Sequence, residues 1–117
     1  MWFYNFTYDY IWRFDMKFYD KLVRDRIPEI IENSGNHCEV EVVNDEVALE
    51  YLYKKLHEEV DELLENKNLE EIADVVEVLF AIGGKYGHSE EDILKRRSEK
   101  KTKSGVFEKN IILKKTW

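Results

Sequence analysis

A chain of 117 residues with a formal net charge of −7 is long enough for one modest domain and short enough that a helical core is often completed by association. The acidic balance argues against general binding to nucleic acid or to anionic membranes, and no apolar run reaches the roughly 20 residues of a spanning helix. Cys38 is the only cysteine, which excludes an intrachain disulfide and makes a reducing cytoplasm the simplest compartment.

Residues 1–18 differ in kind from the rest. Tyr4, Phe6, Tyr8, Tyr10, Trp12 and Phe14 alternate with other residues in a strand-like period of two, and Asp9, Arg13 and Asp15 interrupt the apolar character that a secretory signal needs. Two readings stand open. Met16 is the natural start and the aromatic stretch an upstream extension, or the stretch is a β-arm that packs on a partner.

From Tyr19 the pattern turns helical, and residues 19–117 read as one domain. Asp20 is placed to cap a short turn over residues 21–26, and Pro28 suits the first turn of a short helix, Glu29 to Asn33, closed by Gly35. The alternation over residues 38–43 predicts a brief extended segment or edge strand. Asn44 opens the first long helix, with Leu52, Leu56, Val60 and Leu63 or Leu64 as its apolar stripe and Glu59 and Glu62 beside that stripe.

The polar break Glu65-Asn66-Lys67-Asn68 separates it from a second long helix, whose apolar face is read as Ile72, Val75, Val76, Leu79 and Phe80. Gly83, Gly84 and Gly87 mark its end. Ser89 with Asp92 forms a capping box for a third long helix, which carries Lys95, Arg96, Arg97, Lys100, Lys101 and Lys103 before Gly105. Residues 106–113 are apolar enough to dock as an extended segment. The expected fold class is all-α: an antiparallel helical hairpin plus further helices forming a bundle, completed by a homodimer or higher homo-oligomer, with short extended segments near 38–43 and 106–113.

Two acidic pairs flank the break symmetrically. Glu59 with Glu62, and Glu71 with Asp74, are each spaced i, i+3, so each pair shares one helix face. At 1.5 Å rise per residue both pair centres lie about 9 Å from the turn, which puts all four acids at one level of a hairpin. Crowded carboxylates repel one another and raise each other's pKa unless a cation is present. Oxygen-only ligation suits Mg²⁺, with Mn²⁺ as the alternative, and Mg²⁺ commonly bridges protein acids to substrate phosphates.

The basic third helix, with Lys95, Arg97 and Lys101, or the group Lys21, Arg24 and Arg26, supplies candidate phosphate contacts. A bland reading stands beside each assignment. Glu-rich faces are commonly solvated, Glu71 has a capping-box role available with Asn68, and a basic helix end is favoured by the helix dipole alone. No Glu-x-x-His is present for a di-iron bundle, no Cys-x-x-Cys for zinc, and His37, His57 and His88 are scattered.

The run Lys55-Leu56-His57-Glu58-Glu59-Val60-Asp61-Glu62-Leu63, followed by Glu71-Ile72-Ala73-Asp74-Val75, resembles the E-E-x-x-E and E-x-x-D motifs of the all-α nucleoside triphosphate pyrophosphohydrolases, the MazG-like superfamily that includes phosphoribosyl-ATP pyrophosphohydrolase. The opening Tyr19-Asp20-Lys21-Leu22-Val23-Arg24-Asp25-Arg26-Ile27-Pro28 is similar to a smaller group of predicted house-cleaning enzymes within it. The resemblance runs from about Tyr19 to Leu113. It implies an oligomeric α domain that binds Mg²⁺ and hydrolyses a nucleotide between the α and β phosphates, giving a nucleoside monophosphate and pyrophosphate.

Under that resemblance Glu59, Glu62, Glu71 and Asp74 are the metal ligands, and Glu58 orients water or a second metal, so that Glu58 and Glu59 are the catalytic candidates. The aromatic extension has no counterpart in the pattern, and the connection between the acidic motifs is shorter than in many relatives. A histidine-pathway enzyme acting on phosphoribosyl-ATP and a non-enzymatic helical interaction module are the alternative readings.

Overall fold

The computed structural model describes residues 16–117. The alternating aromatics at 4–14, read as a β-arm or an upstream extension, lie outside the described residues. The chain divides into two compact units, Met1–Val40 and Glu41–Trp117. The described residues contain helices and no strand.

In the first unit, residues 20–24 are irregular and a turn at Asp25 and Arg26 leads into helix α1, Ile27–Asn33. The helix begins two residues earlier than the sequence predicts. Pro28 sits in its first turn, where the missing N–H has no helical partner to lose. Gly35, at φ 93°, reverses the chain so that its N–H reaches the Glu32 carbonyl at 3.1 Å and that of Asn36 reaches Ile31 at 3.3 Å. Cys38 folds back on the same helix: its N–H donates to Glu32 Oε2 at 3.1 Å. Burial, then the neighbouring Glu32 carboxylate, pushes the Cys38 thiol up, which is the opposite of what a reactive thiolate needs.

The second unit is built on the expected hairpin. Helix α2, Asp45–Asn66, is capped by Asn44, whose side chain accepts from Val47 N–H at 2.9 Å. Lys67 takes the left-handed conformation (φ 51°, ψ 49°), and its N–H closes on the Leu63 carbonyl at 2.8 Å. Asn68 then caps helix α3, Leu69–Lys85, through Glu71 N–H at 3.0 Å. At the open end, Lys85 Nζ meets Asp45 Oδ1 at 2.9 Å and the Tyr53 and Tyr86 hydroxyls are 2.7 Å apart.

Helix α4, Glu90–Ser104, opens with the predicted capping box: Asp92 N–H donates to Ser89 Oγ at 3.0 Å and Ser89 N–H to Asp92 Oδ2 at 2.9 Å. The glycines at the end of α3 do more than terminate it. Gly83 lies inside the last turn, and a Cβ there would collide with Ile93 Cδ1, so its bare backbone admits α4. In the segment 106–113, read as apolar enough to dock, Val106, Phe107, Ile111, Ile112 and Leu113 are all exposed within the single chain.

The core differs from the predicted stripes. Its buried apolar members are Ala48 and Leu52 on α2 and Val78 and Ile82 on α3. Of the predicted stripes Leu52 is buried and Leu56, Val60, Leu63, Val75 and Phe80 are half-buried, whereas Leu64, Ile72, Val76 and Leu79 are exposed. On α3 the buried set Glu71, Val78 and Ile82 follows i, i+7, i+11, and Ile72, Val76 and Leu79 stand about 100° round the helix from it. The helix is apolar on two adjacent sides, and periodicity alone selects the richer one, which faces out.

Candidate functional site

The buried stripe of α2 runs Ala48, Leu52, Glu59, and that of α3 runs Ile82, Val78, Glu71. Toward the turn each stripe therefore ends in a carboxylate. Glu59 is 7 % exposed and Glu71 8 %, and they are the buried charged residues among those described. The sequence places Glu59 beside the core stripe; the structure places it within the stripe, because it falls seven residues, two helical turns, after Leu52.

Nothing nearby satisfies Glu59 fully. Its Oε1 lies 3.9 Å from Lys55 Nζ, and its Oε2 is buried with no hydrogen-bond partner. Burial raises its pKa most, followed by the charge of Glu62; Lys55 lowers it, and Asp74 and Glu58 raise it further. The influence of Asp74 crosses from α3 to α2, so the hairpin brings Asp74 into one electrostatic group with Glu58, Glu59 and Glu62. Glu58, Glu62 and Asp74 are half-buried. Lys55 also lies 3.4 Å from Glu58, which makes it the cation of this cluster. Its i−3 and i−4 spacing to Glu58 and Glu59 is the signal that could have marked it in the sequence.

Glu71 behaves differently. Its backbone N–H is capped by Asn68, but its carboxylate does not complete the box: Oε2 accepts from Asn66 Nδ2 at 2.5 Å. Asn66 is a residue that helical periodicity does not single out, since the contact spans the turn. Its bond gives Glu71 the partner that Glu59 Oε2 lacks.

Among the described residues, no group of three or more His, Cys, Asp and Glu side chains is disposed to hold a metal ion. The proximity of Glu59, Glu62 and Asp74 is therefore electrostatic grouping without closed coordination. The predicted phosphate contacts are divided. Lys21, Arg24 and Arg26 belong to the first unit, where Lys21 Nζ lies 5.8 Å from the Tyr19 ring centre and Arg26 pairs with Glu29 at 2.8 Å. Lys95, Arg97 and Lys101 are exposed on α4, and Lys95 helps to hold Asp92 in its charged form.

The chain matches no family model, no curated protein and no solved structure.

Proposed function

We propose that this chain is a Mg²⁺-dependent nucleotide pyrophosphohydrolase that cleaves a nucleoside triphosphate between its α and β phosphates. The observation that carries the reading is Glu59: a carboxylate buried in a helical core, one oxygen without a partner, repelled by the charges of Glu62, Asp74 and Glu58. A buried polar atom left unsatisfied costs about 1–3 kcal/mol, so it needs a reason. A divalent cation is the simplest one, because it gives the orphaned oxygen a ligand and relieves the repulsion from Glu62 and Asp74.

The donor set is all oxygen, which fits Mg²⁺ or Mn²⁺ and not a softer metal. Glu59, Glu62 and Asp74 would hold the ion, with Glu71 joining after release from Asn66. The ion, when bound, supplies positive charge against the phosphates and acidifies water. Glu58 orients the attacking water, and Lys95, Arg97 and Lys101 are the cations in this unit offered to the leaving pyrophosphate. In the balanced reaction a water oxygen bonds to the α phosphorus, the bond from that phosphorus to the bridging oxygen breaks, and the bridging oxygen leaves with pyrophosphate.

A homo-oligomer belongs to the proposal. The outward side of the hairpin, with Ile72, Val76 and Leu79, is apolar and exposed, and among the described residues Ala48, Leu52, Val78 and Ile82 form a thin buried apolar core. The test is pyrophosphate release from a panel of canonical and damaged nucleoside triphosphates, beside phosphoribosyl-ATP, with Mg²⁺ and with Mn²⁺. Release with monophosphate formation is expected from at least one compound and is expected to fall at least 100-fold in Glu59→Gln. Intact substrates throughout would sink the enzyme reading and leave the interaction module.

A further inference from the structure

We infer that residues 106–117 form an arm that covers the outward side of the hairpin in a second copy of this chain. The arm starts where α4 stops, at Gly105 (φ 85°), turns at Asn110 (φ 54°), and continues without helix or strand to Trp117. Phe107, Ile111, Ile112, Leu113 and Trp117 on it are all exposed, Phe107 at 99 %. Five large apolar side chains in water on one short segment call for a partner.

The hairpin offers the matching surface. On α3, Ile72, Val76 and Leu79 are exposed, and on α2 so are Tyr53 and Leu64. Helical geometry puts these two sets on the same side of an antiparallel pair: each is rotated about 80–140° from its own buried stripe, in directions that converge when the helices run oppositely. Ile93 of α4 closes on Gly83 at one end of this side and leaves the remainder uncovered. Residues 111–117, at about 3.3 Å per residue, reach roughly 23 Å, close to the roughly 25 Å length of α3.

Charge favours a second copy over an anionic surface. Residues 45–77 hold 12 Asp and Glu against three Lys, whereas residues 95–117 hold nine Lys and Arg against two Glu. The arm and the helix before it are thus complementary to the hairpin, and Lys109, Lys114 and Lys115 travel with the apolar residues. An anionic membrane would attract the arm but repel the acidic hairpin beside it. Area is sufficient too. Phe107 and Trp117 bring about 150–250 Å² each, so two reciprocal arms and the faces they cover reach the roughly 1,200–2,000 Å² of a stable interface before the aliphatic residues are counted.

The contact is tested by disulfide trapping, which does not depend on any hydrolase activity. Two full-length chains of different tag mass, Ile112→Cys and Val76→Cys, each in a Cys38→Ser background, are mixed under mild oxidation. A mixed disulfide dimer is expected to dominate over either self-dimer. In the otherwise native chain, Ile112→Asp is expected to raise the dimer dissociation constant at least about tenfold by light scattering. Preferential Val76→Cys self-dimers would overturn the proposal in favour of hairpin-on-hairpin packing. So would a monomeric native chain, a disulfide forming only within a single chain carrying both cysteines, or a monomer that sediments with phosphatidylserine vesicles through Ile112.

Discussion

Glu59 concentrates the tension of this fold in one side chain. Because its proton affinity is raised in the folded state, the cost of its charge is absent below the ordinary carboxylate range and fully present once the pH exceeds its folded-state pKa. Glu59→Gln is therefore expected to stabilise the metal-free chain by about 1 kcal/mol at neutral pH and to abolish any rise in Tm on adding Mg²⁺. Thermal melts of both chains with and without Mg²⁺ check both parts; an unchanged Mg²⁺ response would remove Glu59 from the ligand set.

Asp92 has the opposite sign. Bonds from the Ser89 backbone and hydroxyl, with lesser help from His88 and Lys95, hold its carboxyl below the usual range. Its contribution is present above the unfolded pKa and is lost as pH falls through the folded one. Acidification is expected to fray the start of α4 in the native chain, followed by hydrogen exchange at Ile93 and Leu94, and Asp92→Ala should show that fraying already at neutral pH.

Among the elements, the hairpin follows from local rules that the sequence states openly. Asn44 and Asn68 cap α2 and α3, the residues between Glu65 and Asn68 break the helix, and the Ser89–Asp92 box starts α4, each through contacts within three or four residues. The choice of buried side is a different matter. Ile72, Val76 and Leu79 make a credible core face by periodicity, yet α2 packs against Glu71, Val78 and Ile82. The site was legible in part for the same reason: spacing fixed the level of Glu59, Glu62, Glu71 and Asp74, and burial of Glu59 and Glu71 came from the pairing of helices.

Gly83 gives an element-scale prediction. Ala in a helix is worth about 1 kcal/mol over Gly, but its Cβ meets Ile93 Cδ1. Gly83→Ala alone is expected to gain less than that amount. The full gain should return in an Ile93→Val background, which lacks the Cδ1 atom, and strict additivity in a urea double-mutant cycle would count against the contact.

For the whole molecule, the balance of buried and exposed apolar surface is the governing fact. Among the described residues no side chain is completely enclosed, while Ile72, Val76, Leu79 and the arm from Val106 to Trp117 lie open. Stability is expected to depend on association, so Tm should rise by several degrees over a 100-fold increase in chain concentration and lose that dependence in Ile112→Asp. A flat Tm in the native chain would mean that the core of the single chain suffices alone.

The sequence by itself determined the helices of the described residues, the hairpin and its caps, because these depend on contacts within a few residues and on the fixed rise of a helix. Only the tertiary structure decided that Glu59 and Glu71 sit inside the core, that Asn66 satisfies one and leaves the other with an orphaned oxygen, and that the richer apolar side of α3 faces outward. Those outcomes depend on which faces two helices turn to each other. Where a helix is apolar on adjacent sides, its period is compatible with either.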